Sequence, residues 1–226
     1  MEKTYEGFLN IFKHRNIKKM CRKYKIEEYT INDDDSIDIH GYSFTLRDRK
    51  FPLKLRSVRD GFYYAIHSKL IENSPINVGG NFYCSNNVLT SLVGGPERVG
   101  GNYDCRNNKL TSLVGCASHV GGELDCSSNK YLTSFEGFPR TYGAFRCRYT
   151  NIDAIYQLFD RDASKIELFN DYDIIRDDTI ILERLMDFLE ETKKDRVYKV
   201  SKKYLDSNCI FNINNNTIGD FEYKFI

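Results

Sequence analysis

A solenoid of short α/β coils is the fold class that the sequence predicts, on three observations. A 21-residue period runs through the middle of the chain, each period holds its apolar, Cys, Asn and Leu residues in one order, and the flanking segments suit the ends of a stack. The period is plain in VGGNFYCSNNVLTSLVGGP from Val78, VGGNYDCRNNKLTSLVGCA from Val99 and VGGELDCSSNKYLTSFEGF from Val120. Cys84, Cys105 and Cys126 stand 21 residues apart, and Cys147 in YGAFRCRYTNI follows at the same interval. An extra residue near Tyr131 in the third unit is cancelled by a glycine missing from the fourth.

Each position has a physical role. A short strand alternates its side chains, so Phe82 and Cys84 are expected to face inward while Tyr83 and Ser85 face outward. The chain then turns within a few residues and leaves backbone groups inside the fold. A buried Asn can satisfy them with both donors and an acceptor, so Asn87, Asn108 and Asn129 are expected to form a ladder. Leu89 with Leu92, Leu110 with Leu113, and Leu132 with Phe135 fill the space behind the strands. The glycine pairs 79–80, 100–101 and 121–122 are expected to be tight return turns.

This order of residues is the grammar of a leucine-rich repeat. Pushed backward, the template places Ala65 and then Leu46 in the cysteine position, so that positions 46, 65, 84, 105, 126 and 147 are separated by 19 to 21 residues. The expectation is therefore a leucine-rich repeat of about six coils, with a parallel β-sheet on the concave face and a helical cap at each end. A further strand is expected at Ile37–Ile39. The predicted division is an N-terminal cap at 1–35, the solenoid at 36–152 and a C-terminal α/β cap at 153–226.

The caps follow from the flanks. Phe8, Leu9, Ile11 and Phe12, then Ile17, Met20, Cys21 and Tyr24, have the spacing of two short amphipathic helices, and Asn32–Asp35 reads as a turn. Ile152, Ile155, Tyr156, Leu158 and Phe159 continue beyond Cys147. TIILERLMDFLEET reads as a helix with Ile181, Leu185, Phe188 and Leu189 along one side. The tail from Tyr198 is expected to form short strands or a hairpin.

Composition narrows the function. Thirty-three Lys and Arg against 32 Asp and Glu leave a formal charge of +1, so no global field draws the chain to nucleic acid or membrane. No apolar run approaches the length of a bilayer span and no signal-like run opens the chain, so a soluble cytoplasmic protein without a membrane partner is expected. Seven cysteines, four of them one per unit, fit reduced thiols rather than a disulfide framework.

The units VGGNFYCSNNVLTSLVGGP and VGGNYDCRNNKLTSL, with YTINDDDSIDI upstream and NDYDIIRDDTIILERLMDFLE downstream, resemble a group of small leucine-rich-repeat proteins encoded by large tailed bacteriophages. The resemblance covers roughly residues 20–190. It implies a phage accessory protein acting inside a bacterium, in the host cytoplasm. The repeat is also similar to that of short-repeat effectors of pathogenic bacteria. Some of those carry a large C-terminal ubiquitin-ligase domain with a catalytic Cys, whereas about 75 residues follow the repeats here and Cys209 is their sole thiol.

Candidate chemistry is sparse. The cysteine row reads as space-filling, because Ala65 and Leu46 occupy the same position in the template. Cys116 and His119 make a C-x-x-H pair without a second pair at zinc spacing. Asp160, Asp162, Glu167, Asp171, Asp173, Asp177 and Asp178 lack the Gly and terminal Glu of a calcium loop and read as a solvated surface. His14, His40, His67 and His119 have no nucleophile or carboxylate partner in sequence. No enzyme activity, cofactor or metal is expected.

A binding face remains. Alternation places Thr45, Tyr64, Tyr83, Asp104, Asp125 and Arg146 in one outward row, and Arg47, Ile66, Ser85, Arg106, Ser127 and Arg148 in a parallel one. Neighbouring tyrosines beside Arg and Asp are the mixture enriched at interface hot spots, so the leading expectation is a module that binds a bacterial host protein and modulates or inhibits it. The basic run Lys13, His14, Arg15, Lys18, Lys19, Arg22, Lys23 and Lys25 supports the alternative of nucleic-acid binding through the N-terminal helix.

Overall fold

The computed structural model describes residues 2–150, 152, 156, 162–176, 179–180, 182–191, 211–212, 217–218 and 221–222. The predicted contributions of Ile155, Leu158, Phe159, Asp160, Asp177, Asp178 and Ile181 lie outside them, as does most of the tail.

Each coil carries two short strands, and each strand stacks in parallel on its counterparts in the next coils. The first file comprises β2 (Ile37–Ile39), β4 (Leu55–Val58), β6 (Asn77–Val78), β8 (Arg98–Val99) and the first residues of β10 (His119–Asp125) and β11 (Thr141–Arg146). The second comprises β3 (Phe44–Leu46), β5 (Phe62–Tyr64), β7 (Phe82–Tyr83), β9 (Tyr103–Asp104) and the last residues of β10 and β11. Six strand tiers thus bound about five stacked coils of a parallel β-solenoid. The expected strand at Ile37–Ile39 is present, and β1 (Tyr29–Ile31) pairs with it antiparallel at the N-terminal end.

Alternation packs the interior. Ile39, Val58, Val78, Val99, Val120 and Tyr142 are in register in the first file, and Phe44, Phe62, Phe82, Tyr103, Leu124 and Phe145 in the second. Phe62 and Phe82 stack with centroids 5.9 Å apart, and together with the Leu89, Leu92, Leu110, Leu113 and Leu132 side chains they are fully buried. Each such burial contributes about 1.5–3 kcal/mol relative to exposure.

The glycine pairs are not return turns. They are the corners where a coil passes from one strand file to the other, and the coils nearly touch there: a Cβ at Gly79 stands 2.1 Å from the Arg59 carbonyl oxygen, at Gly100 2.1 Å from that of Gly79, and at Gly121 2.1 Å from that of Gly100. From the third tier to the fifth the corner residues have no side chain, which lets these tiers meet at normal strand spacing.

The asparagine ladder forms as its chemistry requires. The Asn108 amide donates to the carbonyls of Cys84 (2.9 Å), Cys105 (3.0 Å) and Arg106 (3.3 Å) and accepts from the Leu89 N–H (3.0 Å). Asn87 donates to Tyr64, Cys84 and Ser85, and Asn129 to Cys105 and Cys126. The residues just before them, Asn86, Asn107 and Ser128, turn the chain through the left-handed region at φ 57°, 52° and 60°.

Two interior groups carry predictions. Cys84, Cys105, Cys126 and Cys147 form no disulfide among the described residues and are fully buried, and burial pushes the first three thiols well above their ordinary value of 9.0. The unfolded chain releases these protons near pH 9 and the folded chain does not, so stability is flat below that pH and falls as pH rises beyond it. Urea midpoints measured between about pH 8 and pH 10 are expected to decline, and the native thiols to resist alkylation until denaturant is added. Rapid labelling of four or more thiols in the native protein would contradict the packing.

The Tyr103 hydroxyl is the one buried side-chain polar atom among the described residues that lacks a hydrogen-bond partner. Leaving a hydroxyl unsatisfied costs about 1–3 kcal/mol, so Tyr103→Phe is expected to stabilise the protein by about 1 kcal/mol in urea denaturation. A loss of stability would refute the account.

The N-terminal flank differs from expectation, and at the other end Thr179–Ile180 of the expected helix are a strand paired with Ile175–Arg176. A single helix, α1 (Glu2–Lys23), replaces the two expected, since residues 8–23 contain no Gly or Pro to break it. It places Ile17 and Cys21 in the core, and the Tyr24 ring meets Phe51 edge-on at 4.9 Å. Beyond the last coil, α2 (Ile166–Asp171) buries Ile166 and Phe169, and α3 (Leu182–Glu191) buries Leu185 and Phe188. Phe169 lies edge-on between Phe135 of the repeats and Phe188. In the tail, Phe211–Asn212, Thr217–Ile218 and Phe221–Glu222 form a small antiparallel sheet. Among the described residues no helix is long and apolar enough to cross a membrane.

Candidate functional site: the outer face of the second strand file

The outer row of this file is Thr45, Tyr63, Tyr83, Asp104, Asp125 and Arg146. Tyr64 and Ile66, both expected to face outward, are buried instead. The second tier is shifted by one residue against the template: Tyr64, not Ala65, pairs with Leu46 and occupies the cysteine position. The interior there accommodates a whole phenol ring because its hydroxyl donates to the Leu70 carbonyl at 2.8 Å and accepts from the Glu72 N–H at 3.1 Å.

The shift brings Tyr63 beside Tyr83, with ring centroids 4.5 Å apart and planes inclined by 14°. Asn81 donates to the Tyr83 hydroxyl at 2.8 Å and fixes that ring. Where the tyrosines end a charge ladder begins. Arg106 grips Asp104 through two hydrogen bonds of 2.9 and 2.8 Å and approaches Asp125 at 3.6 Å, while Arg146 reaches Glu123 at 2.9 Å and Asp125 at 4.0 Å. Asp104 also accepts from the Arg106 N–H, and Asp125 from the Ser127 N–H, which holds both carboxylates low against the sheet. The Asp104 hydrogen bond raises the Arg106 guanidinium above its ordinary value. The aspartates and Ser127 are therefore nearly buried, and phenol rings and guanidinium planes form the accessible surface.

Of the remaining expected site residues, Thr45, Arg47 and Arg148 are exposed, Ser85 is half-buried, and Ser127 accepts the Arg148 N–H at 3.1 Å. The first strand file presents a polar row that the sequence reading missed: Asp38, Ser57, Asn77, Arg98, His119 and Thr141. Its signal was the polar residue before each of Val78, Val99 and Val120, hidden by reading the following glycines as return turns. Asp38 is buried there. Burial raises its carboxyl, but hydrogen bonds from Arg56 and Ser57 outweigh this and hold it below the ordinary value.

His119 is engaged by the Thr141 hydroxyl at 2.5 Å, and burial pushes the Cys116 thiol up to about 12. In the acidic segment Asp162 accepts from the Ser164 N–H and Asp173 pairs with Arg184. Among the described residues no three His, Cys, Asp or Glu side chains converge as a metal site would require. On α1 the Arg15, Lys18, Lys19, Arg22 and Lys23 side chains are all exposed. No protein-family model, curated protein or solved structure matches the chain.

Proposed function

We propose that the chain is a leucine-rich-repeat solenoid, with α1 and the C-terminal helices as its caps, that works without catalysis by binding a protein through the outer face of its second strand file. The observation that carries this reading is the stacked Tyr63–Tyr83 pair running directly into the Asp104–Arg106–Asp125–Arg146 ladder. Tyr and Arg are the residue types that dominate interface energetics. Ring stacking and carboxylate grips fix them before a partner arrives, which reduces the ordering entropy lost on association. The asparagine ladder and the Leu89–Leu92 pattern support the repeat class. The resemblance of the units to those of small phage proteins supports a phage accessory protein that binds a bacterial defence or metabolic protein in the host cytoplasm and modulates or inhibits it.

The test is capture on the tagged protein from nuclease-treated bacterial lysate, read by mass spectrometry. One stoichiometric host protein is expected. The Tyr63→Ala, Tyr83→Ala, Arg106→Ala triple variant, folded by circular dichroism, is expected to bind it at least tenfold more weakly, a loss of about 1.4 kcal/mol. Equal binding by the variant would remove this face from the function.

A further inference from the structure

The net charge of +1 conceals a polar molecule. Residues 13–59 hold thirteen Lys and Arg against seven Asp and Glu, a surplus of six, whereas residues 60–226 carry a deficit of four. The surplus gathers on α1. At 3.6 residues per turn, Arg15, Lys18, Lys19 and Arg22 fall on one face and Ile17, Met20, Cys21 and Tyr24 on the opposite one. The apolar face is committed, since Ile17 and Cys21 are buried in the core. The basic face is open: all four cations are exposed, and among the described residues none is held in an ion pair.

Lys23 and Lys50 both act on the Asp48 carboxylate at the foot of the helix and extend the patch onto the first coil. The acids nearby are largely engaged: Asp35 pairs with Lys13 at 3.3 Å, and Asp48 accepts from the Tyr24 hydroxyl at 2.7 Å and the Lys50 N–H at 2.8 Å. Glu27 and Glu28 lie beyond the helix end.

We propose that this face binds the sugar-phosphate backbone of duplex nucleic acid, independently of the strand-face reading. The stripe from Arg15 to Arg22 is about 10 Å long on a rigid helix. Over that length a duplex presents about six phosphate charges, a linear anion that a straight row of cations complements. Single-stranded binding would use exposed aromatics between the cations, and residues 13–23 of α1 include no Phe, Tyr or Trp. Membrane binding would use the apolar face of the helix, which is occupied.

The test is fluorescence anisotropy of labelled DNA and RNA duplexes of about 24 base pairs in about 50–300 mM KCl, with the full chain. Micromolar binding at the lowest salt is expected, with a log–log salt slope of about −3.6 for four phosphate contacts. The Lys18→Glu, Lys19→Glu, Arg22→Glu variant, which alters only exposed side chains, is expected to bind at least 30-fold more weakly. Tyr63→Ala with Arg106→Ala is expected to leave the affinity unchanged, which separates this surface from the strand face. Four results would overturn the proposal: no binding to either duplex at the lowest salt, a slope shallower than −1, equal binding by the triple-Glu variant, or binding by the wild type to phosphatidylserine vesicles but not to duplex.

Discussion

Asn108→Ala is expected to lower the free energy of unfolding by about 3–5 kcal/mol. Its carboxamide donates to three carbonyls from two successive tiers and accepts the Leu89 N–H. Truncation strands these groups in the interior, where Asn108 itself is buried. Each orphaned group costs about 1–3 kcal/mol, partly offset by local relaxation. Asn108→Asp should be as damaging, because a carboxylate cannot donate. Asn107→Gly supplies the control next door: its side chain is exposed and its φ of 52° suits glycine, so little change is expected. Urea denaturation followed by circular dichroism distinguishes the cases, and a loss below about 1 kcal/mol for Asn108→Ala would mean that water replaces the amide.

Gly100→Ala should cost about 3 kcal/mol, through sterics rather than lost hydrogen-bond partners. The added methyl would sit 2.1 Å from the Gly79 carbonyl oxygen, which is backbone and cannot swing aside. The tiers must part locally, straining the bonds from the Gly100 N–H to Val78 and from the Gly101 N–H to Gly80, both 2.8 Å. For a chain of this size that is a fall in Tm of about 6–12 °C. At Gly41 the nearest atom to an added Cβ is 3.6 Å away, so Gly41→Ala should be neutral or slightly stabilising. Equal melting temperatures for the two variants would show that the corners yield.

What could be read from the residues alone follows from where copies agree. Cys84, Cys105 and Cys126 with Asn87, Asn108 and Asn129 recur at one interval, so their shared interior role was legible, as were Tyr83, Asp104, Arg106, Asp125 and Arg146 on the outer face. The second tier departs from the pattern, and there size misled: Ala65 resembles a cysteine in volume, yet Tyr64 is the inward residue because backbone groups catch its hydroxyl. That one-residue slip concealed Tyr63, half of the stacked pair. The first strand file was hidden differently. A glycine pair is a turn signal by conformational freedom, and nothing local distinguishes a return turn from a corner whose glycines are required by the neighbouring coil.

The glycine corners also bear on how long such a molecule can be. Val78, Val99 and Val120, and Gly79, Gly100 and Gly121, meet one another by the same translation. A body with translational symmetry has no intrinsic length, so adding or excising one 21-residue unit leaves every remaining tier with neighbours of the same kind. Its size is set only where the symmetry is broken. At the N-terminal end this is done by a strand no internal copy shares, the antiparallel Tyr29–Ile31 on the first tier, with α1 beside it. Those residues act as the stop codes of an otherwise open-ended ruler.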